Sequence, residues 1–274
     1  MQRVYVAVAD RKSASATRGF RVVNNSVFVA WRSGGETNGR WGPVGRLDRI
    51  QSGYRFVYTQ GARLMDGFHP FPGMPDVDAV YESQELFPLF ANRLLATSRP
   101  EYQSYLQWSG YGLVETPDPI AVLSVTAGMR ATDKLEIVPC PQPDVEGCYL
   151  TKFFLHGLRW APQAAVERIG KLQSGEWLGL MPDICNKFDP KAVAVRTQDD
   201  GGRFIIGYVP RFFAEDIGRL IQTCDPTVLQ LTVERVNSTA PLEFRLLCRL
   251  RACWPADFRP FQGAMYQPIP HLEV

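Results

Sequence analysis

The sequence predicts an α+β protein: a small mixed domain of antiparallel strands plus helices, followed by an OB- or SH3-like β-barrel with two short helices. Three observations predict it. Short runs rich in Val, Phe and Tyr open the first half and give way to helical spacing. A break follows at Pro139, Pro141 and Pro143, in a stretch expected to hold neither helix nor ladder. Beyond it, six strand-like runs and two short helical ones fill about a hundred residues, the density of a small barrel. The expected domains are therefore 1–145 and 150–255, with a Pro-rich tail over 256–274 that forms an extended arm or a packed return segment.

In the first domain, strands are expected at Val4 to Ala9, Phe20 to Val23, Val27 to Trp31 and Tyr54 to Tyr58. After the loop Pro70 to Pro75, Leu86, Phe87, Phe90, Leu94 and Leu95 recur at helical spacing. Ser98 with Glu101 makes a capping-box pattern around Pro100, and Asp118-Pro119 opens a helix that Gly128 ends. Leu135 to Val138 is a further strand. In the second domain, strands are expected at Lys152 to Leu158, Trp177 to Met181, Ala192 to Thr197, Phe204 to Val209, Val228 to Val236 and Leu242 to Cys253. Asp200-Gly201-Gly202 is a hairpin signal. Ala164 to Leu172 and Phe212 to Ile221 are the helices.

Composition narrows the function. Of 274 residues, 45% are hydrophobic and 21% charged, which excludes wholesale disorder. A net charge of +2 excludes a polybasic coat but not a local basic groove. Residues 1–149 hold 15 basic and 15 acidic side chains against 14 and 11 in 150–255, so the small excess lies in the second domain. Arg supplies 24 of the 30 basic residues, which suits forked anion contacts, although coding bias explains it equally well. The apolar runs Val4 to Ala9 and Ile120 to Val125 are too short to span a bilayer, and the opening residues lack a secretory pattern. A cytoplasmic location is expected.

No phosphate loop, dinucleotide fingerprint, nucleophile elbow, kinase loop or zinc-protease helix occurs, so no catalytic residue and no cofactor is assigned. Asp76 and Asp78 sit in a loop, and Asp199 and Asp200 read as turn residues. The six cysteines lack knuckle spacing and read mainly as small buried hydrophobes, with no disulfide framework expected. His69, His156 and His271 are scattered, and His156 reads as a core imidazole; no metal is expected.

One set of residues in the second domain is chemically coherent. Arg159 and Trp160 end its first strand, Asn186, Lys187, Phe188 and Asp189 form a polar, ring-bearing loop, and Tyr208 to Arg211 lead into a helix. Rings beside cations are what single-stranded nucleic acid requires, bases stacking at ~1–3 kcal/mol each while Arg and Lys hold phosphates. Asp189 would repel phosphate, so it either caps local structure or accepts from a sugar hydroxyl. By spacing alone, Trp160 and Phe188 read first as core rings, Asp189-Pro190 as a turn, and Tyr208 as a barrel plug with a wet hydroxyl.

Resemblance alters that weighting. Lys152 to Ala252 resembles the HIRAN domain, a small barrel found alone in bacteria and at the front of eukaryotic fork-remodelling helicases. Gly157-Leu158-Arg159, Gly175-Glu176-x-Leu178, Asn186-Lys187-Phe188-Asp189-Pro190-Lys191-Ala192-Val193 and Ile206-Gly207-Tyr208-Val209-Pro210-Arg211 carry the resemblance. It implies capture of single-stranded DNA at its 3′ end: Asp189 on the terminal hydroxyl, Phe188 stacking, Arg159 and Trp160 giving phosphate and stacking contacts, Tyr208 and Arg211 along the strand. Trp160 and Phe188 replace the tyrosines of the helicase versions, which keeps stacking and removes phenolic hydrogen bonds. No helicase or RING segment follows, so a remodelling motor would be another protein. The implied role is a DNA-repair or defence-related adaptor.

Residues 25–138 are similar to the small N-terminal subdomain of HipA-type toxin kinases. Val44-Gly45-Arg46-Leu47, Tyr54-Arg55-Phe56-Val57-Tyr58, Phe90-Ala91-Asn92-Arg93-Leu94-Leu95 and Gly128-Met129-Arg130-Ala131-Thr132-Asp133 carry this similarity. The kinase body is missing, so kinase activity does not carry over. The similarity implies an alternative: a non-catalytic, antitoxin-like interaction protein that docks on a HipA-like kinase, nuclease or helicase.

Overall fold

The computed structural model describes residues 25–34, 39–112, 114–130, 134–199 and 203–270. The strands expected at Val4 to Ala9 and Phe20 to Val23, and the hairpin tip at Asp200-Gly201-Gly202, lie outside them. The described residues form a mixed α+β structure of two antiparallel sheets and few helices. None of the helices is long and apolar enough to cross a membrane.

The first sheet has the order β4-β3-β2-β1-β5, with β1 Ser26–Arg32, β2 Trp41–Ile50, β3 Gly53–Tyr58, β4 Val80–Ser83 and β5 Leu135–Pro139. β2 and β4 add to the expected strands. β2 carries Gly42, Pro43 and Gly45, residues that ordinarily argue against a strand. The register against β1 shifts between Val29 and Ala30, where Pro43 faces Ala30, so the proline sits at an irregularity that tolerates it. Phe56, Tyr58, Phe71 and Phe90 form a buried ring cluster behind this sheet.

The helices of this half are short: α1 Gly61–Leu64, α2 Pro88–Ala91, α3 Tyr102–Trp108 and α4 Pro119–Thr126. The helix expected across Leu86 to Leu95 is therefore confined to α2. The capping box at Ser98 does not form; Pro100 holds residues 96–102 in successive turns, and α3 starts after Glu101 without a side-chain cap. α4 begins as expected, Asp118 Oδ1 accepting from the Ile120 amide at 2.8 Å. The proline-rich break does hold some ladder: Pro139 pairs with Val27, and Pro143 bridges to Tyr149.

The second sheet has the order β6-β11-β10-β7-β8-β9, with β6 Cys148–Phe154, β7 Trp177–Pro182, β8 Val193–Arg196, β9 Ile205–Tyr208, β10 Gln230–Val236 and β11 Leu246–Cys253. It curls into a half-barrel around Leu155, Val195, Ile206, Ile217, Val233 and Leu250. A bridge between His156 and Tyr208, with both N–H···O bonds at 2.9 Å, joins the chain beyond β6 to β9. Gly207 permits this approach, since a Cβ there would meet the His156 carbonyl oxygen at 2.5 Å. α5 Gln163–Ile169 and α6 Arg211–Thr223 cover the curl. Arg168 of α5 holds Asp199 at 2.7 Å and also bonds Glu176, so Asp199 serves as an ion partner beyond its place in a turn.

Two more expectations need correction. Cys224 and Cys253, 29 residues apart, are joined as a disulfide between the end of α6 and the end of β11, although the sequence predicts none. The spacing of these cysteines carries no signal because their pairing is set by tertiary approach. Leu242 to Leu246 is a 3-10 turn at Leu242–Phe244 before β11 begins, the strand starting four residues later than expected.

The two halves meet through α6 and the tail. Phe28, Ala30, Val138 and Cys140 pack with Trp41, Phe212, Phe261 and Tyr266. The tail is a packed return segment: Gln60 N–H donates to the Gln267 carbonyl at 2.8 Å and Ile269 N–H to the Tyr58 carbonyl at 2.9 Å.

Candidate nucleic-acid interface

The loop between β7 and β8 is built around Asn186. Its Oδ1 accepts from the amides of Phe188 at 3.0 Å and Asp189 at 3.1 Å, while its Nδ2 donates to Asp183 Oδ2 at 3.1 Å. This Asx-type turn occupies the side chain of Asn186 with structure and presents its two successors outward. Phe188 is 92% exposed. The core-ring reading of Phe188 is therefore wrong: its ring stands in solvent and takes no part in the half-barrel core.

Asp189 is half-buried. Its Oδ1 accepts from the Lys191 amide at 3.0 Å, its backbone carbonyl accepts from the Ala192 amide at 3.0 Å, and its Oδ2 lies 3.7 Å from Arg211 Nε. It is thus a turn residue with one oxygen left toward an exposed guanidinium. Lys187 stays exposed, and Lys191 is held by Glu215 at 2.6 Å. Arg211 opens α6, where the helix's positive end adds to its charge.

Tyr208 links this loop to the other ring. Its hydroxyl donates to Asp183 Oδ2 at 3.0 Å, and burial followed by that carboxylate raises its pKa. Gly157, with φ +79°, would bring a Cβ to 3.3 Å from the Tyr208 ring. The 3-10 turn Leu158–Trp160 that follows puts Trp160 78% exposed, with the Arg159 guanidinium 5.0 Å from its ring centre. The strand expected to run to Leu158 ends at Phe154, so Arg159 and Trp160 lie on this turn. Trp160 is not a core ring either.

Asn186, Asp189, Tyr208 and Arg211 converge on one pocket of about 300 Å³. Arg159, Trp160, Lys187 and Phe188 lie outside it, on exposed surface. Sequence reasoning missed four residues here. Asp183 anchors both Asn186 and Tyr208, and its only signal is its place three residues before Asn186. His156 lines the pocket as well; burial, then Arg211, lowers its pKa to about 4, so it is neutral near pH 7. Trp41 and Glu136 come from the other sheet. A lone acid within the apolar strand Leu135 to Val138 is the available signal for Glu136.

Asp144, Glu146 and Cys148 lie close enough together to share an ion. Asp144 Oδ1 already accepts from the amides of Glu146 and Cys148, and Glu146 pairs with Arg251 at 2.6 Å, the pattern of a closed turn.

Neither the curated proteins nor the solved structures contain a match to the chain. The similarity of residues 25–138 to the HipA subdomain gains no support from these comparisons. A family model does match the segment that carries the exposed rings, the Asn186 loop and the Tyr208-to-Arg211 step: residues 149–251 match the HIRAN domain.

Proposed function

We propose that the protein binds single-stranded DNA through residues 149–251 and captures a strand at its free 3′-hydroxyl end, without catalysis, as an adaptor in DNA repair or defence. DNA binding follows from the HIRAN match, which is to a DNA-binding domain. The observation that carries the reading is the pair of rings held out in solvent, Phe188 on a loop braced by Asn186 and Trp160 on a turn braced against Tyr208. Phe188 directly precedes Asp189, which lines the pocket with Arg211, and Trp160 follows Gly157, which lies beside the Tyr208 ring of the same pocket. Bases stack on the rings, Arg159 and Arg211 meet phosphates, and the Asp189 carboxylate accepts from the terminal hydroxyl. A phosphate at that end would meet the same carboxylate and be repelled.

The test compares one oligonucleotide ending in a 3′-hydroxyl with the same strand ending in a 3′-phosphate. The hydroxyl strand should bind tighter, and affinity should fall with salt at a log–log slope of ~−0.7 per phosphate contacted. Equal affinity for both ends removes the end-recognition claim.

A further inference from the structure

The pocket beside Asp189 is not made by the HIRAN segment alone. Its opposite wall is Trp41 at the start of β2, Met129 after α4, and Glu136 on β5. β5 is one of the two edge strands of the first sheet, every residue of it is buried, and Glu136 faces Ala30 in the ladder. Trp41 is pinned against Phe212 in the first turn of α6, ring centres 6.1 Å apart in an edge-on arrangement. The wall is therefore fixed relative to Arg211, the neighbouring residue on that helix.

Glu136 is the informative member. It is only 8% exposed, and its carboxyl has no hydrogen-bond partner among the described residues. The carboxyl lines the pocket together with Arg211, so a donor that enters the crevice can reach it. Burial raises its pKa to about 7, with Arg211 pulling the other way.

Resting on the DNA-end reading above, we infer that this wall receives the base of the 3′-terminal nucleotide, with Glu136 accepting hydrogen bonds from N–H groups on the base edge. A pocket of about 300 Å³ is at the small end for ligands and admits one nucleoside. With the sugar hydroxyl at Asp189, the base extends across toward the first sheet, where Trp41 and Met129 offer apolar contact. A carboxylate only accepts. Guanine offers two adjacent N–H donors on its pairing edge, which one carboxylate takes together. Thymine offers one N–H flanked by two carbonyl oxygens, which repel it. The terminal base should therefore matter, guanine binding best and thymine worst.

The experiment uses the full chain and oligothymidylate strands with a free 3′-hydroxyl that differ only in the last base: dG, dA, dC or dT. The parent should bind the dG end about tenfold tighter than the dT end, the scale of one good bidentate base contact. Glu136→Gln, nearly isosteric, should bring that ratio to about twofold or less, because an amide can also donate to thymine carbonyls. A ratio between two ligands does not depend on how much of a variant is folded. Phe188→Ala should weaken all four strands alike and keep the ratio. In the parent the ratio should shrink from pH 8 to pH 6 as Glu136 takes up a proton. The charged and titratable groups around the crevice besides Glu136 are Arg211, Asp189, Tyr208, His156, Arg130 and Glu243, and His156 is already neutral across that range. A parent that prefers 3′-hydroxyl ends but shows no base preference, or a preference that survives Glu136→Gln or is flat with pH, overturns this inference and leaves the DNA-end reading standing. A parent with no preference for 3′-hydroxyl ends removes both.

Discussion

The two halves use aromatic rings in opposite ways. In the first sheet Phe56 touches the rings of Tyr58, Phe71, Tyr81, Phe87 and Phe90 and is wholly buried. In the HIRAN segment Phe188 and Trp160 lean on turns and face water. The same chemistry thus supplies cohesion in one place and a presented surface in the other. Burying such a ring contributes about 1.5–3 kcal/mol, so an exposed one forgoes a real stabilisation. What distinguishes the halves is the backbone beneath the ring: a strand interior for Phe56, an Asx-type turn for Phe188, a 3-10 turn after a left-handed glycine for Trp160.

Substitutions sharpen this contrast. Phe56→Ala should lose about 3–5 kcal/mol of stability, measured by denaturant unfolding, since five ring neighbours lose their centre. At pH 8, Glu136→Gln should gain about 3 kcal/mol over the parent. The folded carboxyl titrates near 7 against about 4.5 unfolded, so the folded state binds more protons in that window and stability falls as pH rises through it. The neutral amide of the variant carries no such loss, and the gain should vanish below pH 4.5. Asp216, raised to about 7 mainly by burial, adds a slope of the same sign that the variant retains. His156, lowered to about 4, gives the opposite slope between about 4 and 6.5.

Phe188→Ala should leave the unfolding midpoint where it was and weaken single-stranded DNA binding by about 1–3 kcal/mol in a titration. A fall in stability without a binding defect would erase the contrast between the two kinds of ring. The smallest effect is expected from Asp189→Asn. The discrimination between 3′-hydroxyl and 3′-phosphate ends should narrow several-fold, read by competition, while overall affinity for internal strand stays level.

Legibility in the sequence was uneven for physical reasons. β8, β9 and α6 lie within a residue or two of expectation because apolar runs bounded by turn residues and Pro210 mark them. β2 was hidden by Gly42, Pro43 and Gly45, which are tolerated through a register shift that only the partner strand reveals. The Asn186 loop was visible as a motif, but whether Phe188 faces core or water depends on Asn186 accepting two amides, which no periodicity encodes. Glu136 and Trp41 were out of reach for another reason. They join the pocket only because two halves distant in sequence meet there, and local patterns do not say which faces meet.

The return of the tail sets an order of events in synthesis. Residues 265–269 pack on the first sheet and bond the end of β3, so this half is not complete until the chain has passed through the whole HIRAN segment. A nascent chain halted at Pro255 would carry a first sheet lacking Met265 and Ile269 from its apolar cluster. The half-barrel draws its core from Tyr149 at its start to Phe258 just past its end, so all of that core precedes Met265 and Ile269 in the chain. The first sheet's contacts with residues 265–269 therefore join positions some two hundred residues apart, the kind of long-range closure that slows folding.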